Sequence, residues 1–152
     1  MMFKKTILVA GLLVMGLGAG AVLAADMNSI QARQACMKAQ GKLMGELVPI
    51  FKGEKPYDAA AILAAQVPWD AACANWDKLF GDDSKPGGAT ETWAKEEIWT
   101  DPEGFKKASA DAHAAFQVLK AAKDEAGFKA AFPMVGGACK GCHDKFRRPK
   151  ES

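Results

Sequence analysis

The sequence predicts an all-α fold, an antiparallel four-helix bundle with one long crossover loop between its second and third helices. Four segments repeat apolar residues at the spacing of three and four that marks one face of a helix. Short polar turns join the first segment to the second and the third to the fourth, whereas residues 81–99 separate the middle two. Because short connections place successive helices antiparallel, this pattern favours one bundle.

The first two helices are predicted on either side of a Gly- and Pro-containing turn at residues 52–56. The first stripe covers residues 30–51 and comprises Ile30, Met37, Leu43, Met44, Leu47, Ile50 and Phe51. The second stripe runs from Ile62 to Phe80. Pro68 lies inside it, so we expect this helix to be kinked or locally broken there, because proline removes a backbone hydrogen bond.

The last two helices follow a loop whose Gly, Pro, Ser and Thr residues interrupt the periodicity. The third helix is predicted to start within residues 100–103, where an aspartate can cap it and a proline suits its first turn. The fourth opens at Asp124 and continues to near the C-terminus. Pro133 and the pair Gly136-Gly137 weaken it, so we expect its first turns to be bent or separate.

The N-terminal residues 1–25 have the layout of a secretory signal peptide. Two lysines precede an apolar run that finishes on small residues, and cleavage after Ala24 or Ala25 fits best. The alternative is a retained membrane anchor, but glycines interrupt the run, and it is shorter than the roughly 20 apolar residues that a spanning helix needs. The sequence therefore predicts export to the periplasm, a mature domain over residues 26–152 and no stable membrane anchor.

The charge of the mature chain bears on its partners. The formal net charge is +2 for the whole sequence, and it falls to zero once the leader takes away its two lysines. Proteins that bind nucleic acids normally present a clustered cationic surface. The balance of charge therefore argues against a nucleic-acid partner.

A motif near the C-terminus carries the chemistry. Cys139 and Cys142 stand three apart and His143 follows directly, the C-x-x-C-H arrangement of c-type haem attachment. On a helix these residues share one face, so two thiols can add to the haem vinyl groups while the imidazole reaches the iron. The C-x-x-C dithiol of thioredoxin-like proteins lies in a βαβ unit, and a structural zinc site requires four ligands, so both alternatives to haem are disfavoured. The sequence therefore predicts one covalent haem c.

With this motif, the chain resembles the cytochrome c′ family, the class II c-type cytochromes. The matching stretches are ARQACMKAQGKLM at 32–44, KGEKPYDAA at 52–60, EEIWTDPEGF at 96–105 and CKGCHDKFR at 139–147. The resemblance implies a periplasmic four-helix bundle with a single haem near its C-terminus. It also implies a homodimer formed through the first two helices.

The resemblance implies haem contacts outside the motif. Arg33 would lie near a haem propionate, Gln34 would occupy a neighbouring haem-contacting position, and Trp93 falls near a loop position that contacts haem in relatives. Arg147 follows His143 by four residues. It either points toward a propionate or is a solvated cation that favours the negative end of the helix dipole.

The role of Met37 distinguishes two possible functions. Its place in the stripe alone favours ordinary core packing, since methionine fills irregular gaps, but the resemblance places it over the distal side of the iron. If its sulfur binds the iron, the haem is six-coordinate and low-spin, as suits an electron carrier. If it only blocks the distal pocket, the iron is five-coordinate and can bind nitric oxide. The stretch RQACMKAQGKLM looks more like the low-spin members, which favours ligation.

Two further cysteines lie outside the motif. Cys36 is 15 residues before Phe51 and Cys73 is 16 residues after Tyr57, so both lie about 23 Å from the turn between the first two helices. In an oxidising compartment, we expect a disulfide between them, provided that their Cα atoms come within roughly 7 Å. The alternative is a pair of buried free thiols.

The function predicted from these observations is one-electron transfer in the periplasm between redox partner proteins. The alternative is a gas-binding protein that senses, sequesters or detoxifies nitric oxide. An enzyme is not predicted, since no general base or substrate pocket can be argued from the sequence. Weak peroxidase chemistry at an open iron is the third interpretation.

Overall fold

A computed structural model of the chain describes residues 28–149. Four long helices dominate it, which confirms the predicted all-α four-helix bundle. The helices are α1 (Ser29–Phe51), α2 (Ala59–Cys73), the short α3 (Glu97–Thr100), α4 (Pro102–Ala121) and α5 (Glu125–Phe146). Two 3₁₀ turns, Trp76–Lys78 and Asp82–Ser84, lie in the crossover between α2 and α3. The predicted signal peptide lies outside the described residues.

Each long helix begins at a side chain that caps its free backbone N–H groups. Asn28 accepts from the backbone N–H of Gln31, and aspartates 58, 101 and 124 cap α2, α4 and α5 in the same way. Such caps satisfy donors that a helix cannot pair internally. The sequence therefore sets the start of every long helix locally.

The structure excludes the breaks that the sequence allowed at two prolines, and the kinks expected there stay predictions. α2 is not broken at Pro68, and α5 is one continuous helix through Pro133 from its first turn. Both prolines are exposed, so water can bind the carbonyl groups that lose their N–H partners. The second helix also ends at Cys73, well before the predicted Phe80, because the chain turns there into the 3₁₀ segment Trp76–Lys78.

The bundle consists of two helical hairpins. α1 packs mainly on α2, and α4 packs mainly on α5. The two hairpins meet in an apolar core near the connecting turns. Its buried members are Leu43, Leu47, Ile50, Ile62, Ala115, Phe116, Leu119, Phe128, Ala131 and Val135. We call this half of the molecule the turn end and the opposite half, which carries the C-terminus of α5, the motif end.

No helix within residues 28–149 has the length and apolar character that crossing a membrane requires.

Candidate functional site

The last turns of α5 bring the three motif residues together. Cys139, Cys142 and His143 lie on the uninterrupted helix Glu125–Phe146, at the spacing that places them on one side. Both cysteines are free and half-buried, and His143 is exposed. Two accessible thiols and a neighbouring imidazole are the groups that attach a c-type haem. The donor set of this structure therefore fits covalent haem.

Gln40 is a residue of this site that the sequence analysis missed. Its Nε2 donates a hydrogen bond to Sγ of Cys139 across 3.3 Å, which links α1 to the motif. Gln40 follows Met37 by three residues and shares its helical stripe, and this spacing is the signal that could have found it. Met37 itself is half-buried on α1.

The local environment keeps the motif groups neutral. Burial raises the pKa of the Cys139 thiol and, together with the neighbouring Cys139, raises the pKa of Cys142. His143 is exposed as a residue, but its ring is partly desolvated. This desolvation, and then the charge of Arg147, lower the pKa of His143, while Asp144 opposes them. A neutral imidazole has a lone pair available for a metal.

The motif groups do not converge on a single point. Within residues 28–149, no three Cys, His, Asp or Glu side chains are placed so that they could hold one metal ion. A haem meets its protein at separate places, two vinyl carbons and the iron, so donors spread along a helix face suit it better than a chelate does.

Arg33 is a buried cation in the motif end. It is 5% exposed, its guanidinium donates to the carbonyl and hydroxyl oxygens of Ser84 at 2.8 and 3.3 Å, and it lies over the rings of Phe80 and Trp99. Desolvation lowers the pKa of Arg33, and the charge of Asp83 partly opposes this. None of the ion pairs in the described part of the chain includes Arg33, so its charge is available to an anionic group.

The crossover contacts the end of the motif helix directly. Lys95 N–H donates to the carbonyl of Phe146 at 3.0 Å, and Arg148 N–H donates to the carbonyl of Trp93 at 2.8 Å. The guanidinium carbon of Arg147 lies 4.6 Å from the centre of the Trp93 ring. Trp93, which the resemblance placed near the haem, and Arg147, which its spacing from His143 placed at the motif, are thus brought together.

Gln34 also reaches the crossover. Its Nε2 donates to the backbone carbonyl of Glu91 at 3.1 Å. Gln34 is exposed, on the same helix as Arg33 and Met37. The crossover is therefore anchored to α1 as well as to α5.

A disulfide joins α1 to α2 beside Met37. The Cα atoms of Cys36 and Cys73 are 4.9 Å apart and their sulfur atoms are bonded. The equal distance of these cysteines from the turn, which the residue count predicted, is what allows the bond.

Comparison with known proteins gives one family. A family model described as Cytochrome C′ matches residues 28–147. Cytochrome c-556 from Agrobacterium tumefaciens (strain II Chrys) is 37% identical over 127 residues, which cover 81% of this chain and 99% of that protein.

Solved structures agree with this likeness. The crystal structure of cytochrome c′ from Rubrivivax gelatinosus is 33% identical with a TM-score of 0.71, and the match covers 79% of this chain and 94% of that one. A ferrous variant of cytochrome c′ from Alcaligenes xylosoxidans with bound NO is 31% identical with a TM-score of 0.71. This match covers 80% of this chain and 94% of that one.

Proposed function

The chain belongs to the cytochrome c′ family and is a c-type haem cytochrome with covalently bound haem c, and on that premise we propose that it carries single electrons in the periplasm. The observation that carries the proposal is the motif on α5. Cys139 and Cys142 would hold the haem through two thioether bonds, and His143 would bind its iron. The haem supplies the one-electron chemistry when it is bound.

The surrounding residues bind and orient the cofactor in this proposal. Arg33 offers a buried positive charge to a haem propionate, which offsets the cost of desolvating the guanidinium. Gln34, Trp93 and Arg147 lie beside the same end of the bundle and complete the haem surroundings. Desolvation, and then the charge of Arg147, lower the pKa of His143, which keeps its lone pair free for the iron.

Met37 would be a second iron ligand in the electron-carrier proposal. It stands one helical turn from Arg33 on α1, next to the disulfide at Cys36. Ligation by a methionine thioether together with the histidine would raise the reduction potential, as suits an electron carrier, and would leave no open position for a gas.

The second candidate function is the binding of small gases at an iron that Met37 only shields. The similarity to a cytochrome c′ variant solved with bound NO supports this alternative. The two functions share every motif residue and differ only in what Met37 does.

The absorption spectrum of the ferrous protein, with and without carbon monoxide, tests the choice. We expect a low-spin spectrum that carbon monoxide leaves unchanged in the wild type, and a high-spin, carbon monoxide-sensitive spectrum in Met37→Ala. Met44→Ala is the matched control, because Met44 lies on the same helix but packs against the turn-end core. A wild-type spectrum that shifts with carbon monoxide would establish the gas-binding alternative.

Export to the periplasm is part of the proposal. The predicted signal peptide supports it, and so does a disulfide, since such bonds persist in oxidising compartments. Fractionation of the native host tests this: the haem protein should appear in the periplasmic fraction, starting at residue 25 or 26. Recovery in the cytoplasmic fraction with the leader intact would contradict export.

We also propose a homodimer through α1 and α2. Along α2, Leu63 and Val67 are 50% and 63% exposed, and Asp70 is the only charged residue of the helix. An apolar face of this kind suits a partner surface. Sedimentation should show that Leu63→Glu dissociates a dimer that Val118→Glu, a change at an exposed position on α4, leaves intact. A wild type that sediments as a monomer would contradict the proposal.

A further inference from the structure

An exposed tryptophan at the motif end has an unusual partner. Trp93 lies in the crossover and is 42% exposed. Over its ring lies the guanidinium of Arg147, at 4.6 Å from the ring centre. This distance is within the range of a cation–π interaction. The interaction joins the crossover to the first residue after α5.

The backbone on both sides of this pair is fixed. Residues 94 and 147 form an isolated antiparallel bridge, flanked by the hydrogen bonds from Lys95 N–H to Phe146 and from Arg148 N–H to Trp93. The guanidinium of Arg148 adds a bond to the carbonyl of Thr92 at 2.5 Å. A substitution of the Trp93 side chain leaves all these backbone contacts in place.

Arg147 in turn lies close to the iron-ligating residue along the chain. It follows His143 by four residues, and its backbone N–H donates to the carbonyl of His143 at 3.1 Å. Asp144, the residue next to His143, pairs with Lys140 on the exposed side of the helix. Arg147 therefore carries a positive charge about one helical turn beyond His143.

The aromatic ring is what holds this charge. Arg147 takes part in none of the ion pairs formed by the described residues, and no side-chain hydrogen bond of its guanidinium is present there. A long arginine side chain without such a partner samples several rotamers, because these rotamers differ little in free energy. Stacking on Trp93 selects the one that keeps the guanidinium against the crossover at the end of α5.

We propose that Trp93 is a positioning residue, which holds the Arg147 guanidinium at the C-terminal end of α5, one turn beyond His143, and thereby sets the positive charge at the iron-ligating end of the helix. The inference rests on the proposed function, in which His143 binds the haem iron. A fixed cation destabilises the ferric state more than the ferrous state, because the ferric state carries one more positive charge. Trp93 therefore raises the reduction potential through Arg147.

A double-mutant cycle on the holoprotein tests this. Midpoint potentials are measured for the wild type, Trp93→Leu, Arg147→Gln and the double variant, with Trp93→Phe as the conservative control. We expect Trp93→Leu to lower the potential by most of the shift that Arg147→Gln produces, and Trp93→Phe to retain the wild-type value. In the Arg147→Gln background, Trp93→Leu should add almost nothing. A shift by Trp93→Leu of equal size in both backgrounds, or no shift at all, would overturn the inference.

Unfolding midpoints of the same four proteins measure the stacking without reference to redox chemistry. Non-additive midpoints support the contact between Trp93 and Arg147, and additive midpoints refute it. Failure of the proposed function looks different, since the wild type itself would then lack the absorption bands of an attached haem. The two failures are therefore distinguishable.

Discussion

The two ends of the bundle are stabilised by different kinds of interaction. At the turn end, all four long helices contribute buried apolar side chains, with Leu47, Phe128 and Val135 having no exposure. At the motif end, the buried groups include a cation, Arg33, and the connections between elements are hydrogen bonds, aromatic contacts and a disulfide.

This difference separates stability from function. Packing at the turn end removes apolar surface from water, and its stability depends on the shape and volume of the side chains. Its residues can therefore be exchanged for other apolar residues of similar volume. The motif end places charges, thiols and an imidazole at defined positions, and each of these polar groups requires a specific partner. Substitutions at the two ends should therefore have separable effects.

The largest expected loss of stability comes from Phe128→Ala at the turn end. Its ring packs against Tyr57 and Phe132, and its removal leaves a cavity that the rigid bundle cannot close. We expect a loss of about 3–5 kcal/mol in urea-induced unfolding, with an unchanged ferrous absorption spectrum. Val118→Ala, at an exposed position, should change stability by less than about 0.5 kcal/mol. A changed spectrum in Phe128→Ala would mean that the two ends are not separable.

Removal of the disulfide is the next largest effect and acts at the motif end. The bond between Cys36 and Cys73 closes a loop across a sequence separation of 37, and such a link restricts the unfolded chain. We expect the double variant Cys36→Ala/Cys73→Ala to lose about 2–4 kcal/mol of unfolding free energy.

A reductant provides the control for this variant. It should lower the unfolding midpoint of the wild type toward that of the double variant, and it should leave the double variant unchanged. Mass measurement after alkylation without reductant should find neither Cys36 nor Cys73 labelled in the wild type. Two labelled sites would show that the bond does not form.

Local sequence signals account for most of the fold and for the centre of the site. The helical stripe of α1, the capping aspartates and the spacing of Cys139, Cys142 and His143 each act within a few residues, so they leave a readable pattern. Even the disulfide follows from counting residues along two antiparallel helices, because rise per residue is constant.

What the sequence could not predict depends on contacts between distant residues. The end of α2 at Cys73, the bonds from Arg33 to Ser84 and the stacking of Trp93 on Arg147 leave no periodic signal. Each pairs groups that only the tertiary fold brings together. The apolar stripe did continue beyond Cys73, but there the chain forms a 3₁₀ turn at Trp76–Lys78 instead of a helix, and hydrophobic spacing alone cannot distinguish the two.

The smallest expected effect concerns the N-terminus of α4, where it meets the motif helix. One carboxylate oxygen of Asp101 accepts from the N–H of Gly104 at 3.0 Å and the other pairs with Lys145 of α5. A Cβ at Gly104 would lie 2.2 Å from that second oxygen, so Gly104→Ala must displace the cap. We expect a melting temperature lower by a few degrees. Gly45→Ala, in open space in the middle of α1, should instead stabilise by about 0.5–1 kcal/mol.

The pH dependence of this pair of variants sharpens the test. The hydrogen bond from Lys145, and then that from Gly104, lower the pKa of Asp101. A carboxyl with a lowered folded-state pKa stabilises the fold above its unfolded pKa, and this contribution is lost as the pH falls through the folded value. The deficit of Gly104→Ala relative to the wild type should therefore shrink in acid, whereas the gain of Gly45→Ala should not change. A deficit that stays constant from neutral pH to below the folded pKa of Asp101 would show that the displaced carboxylate is not its cause.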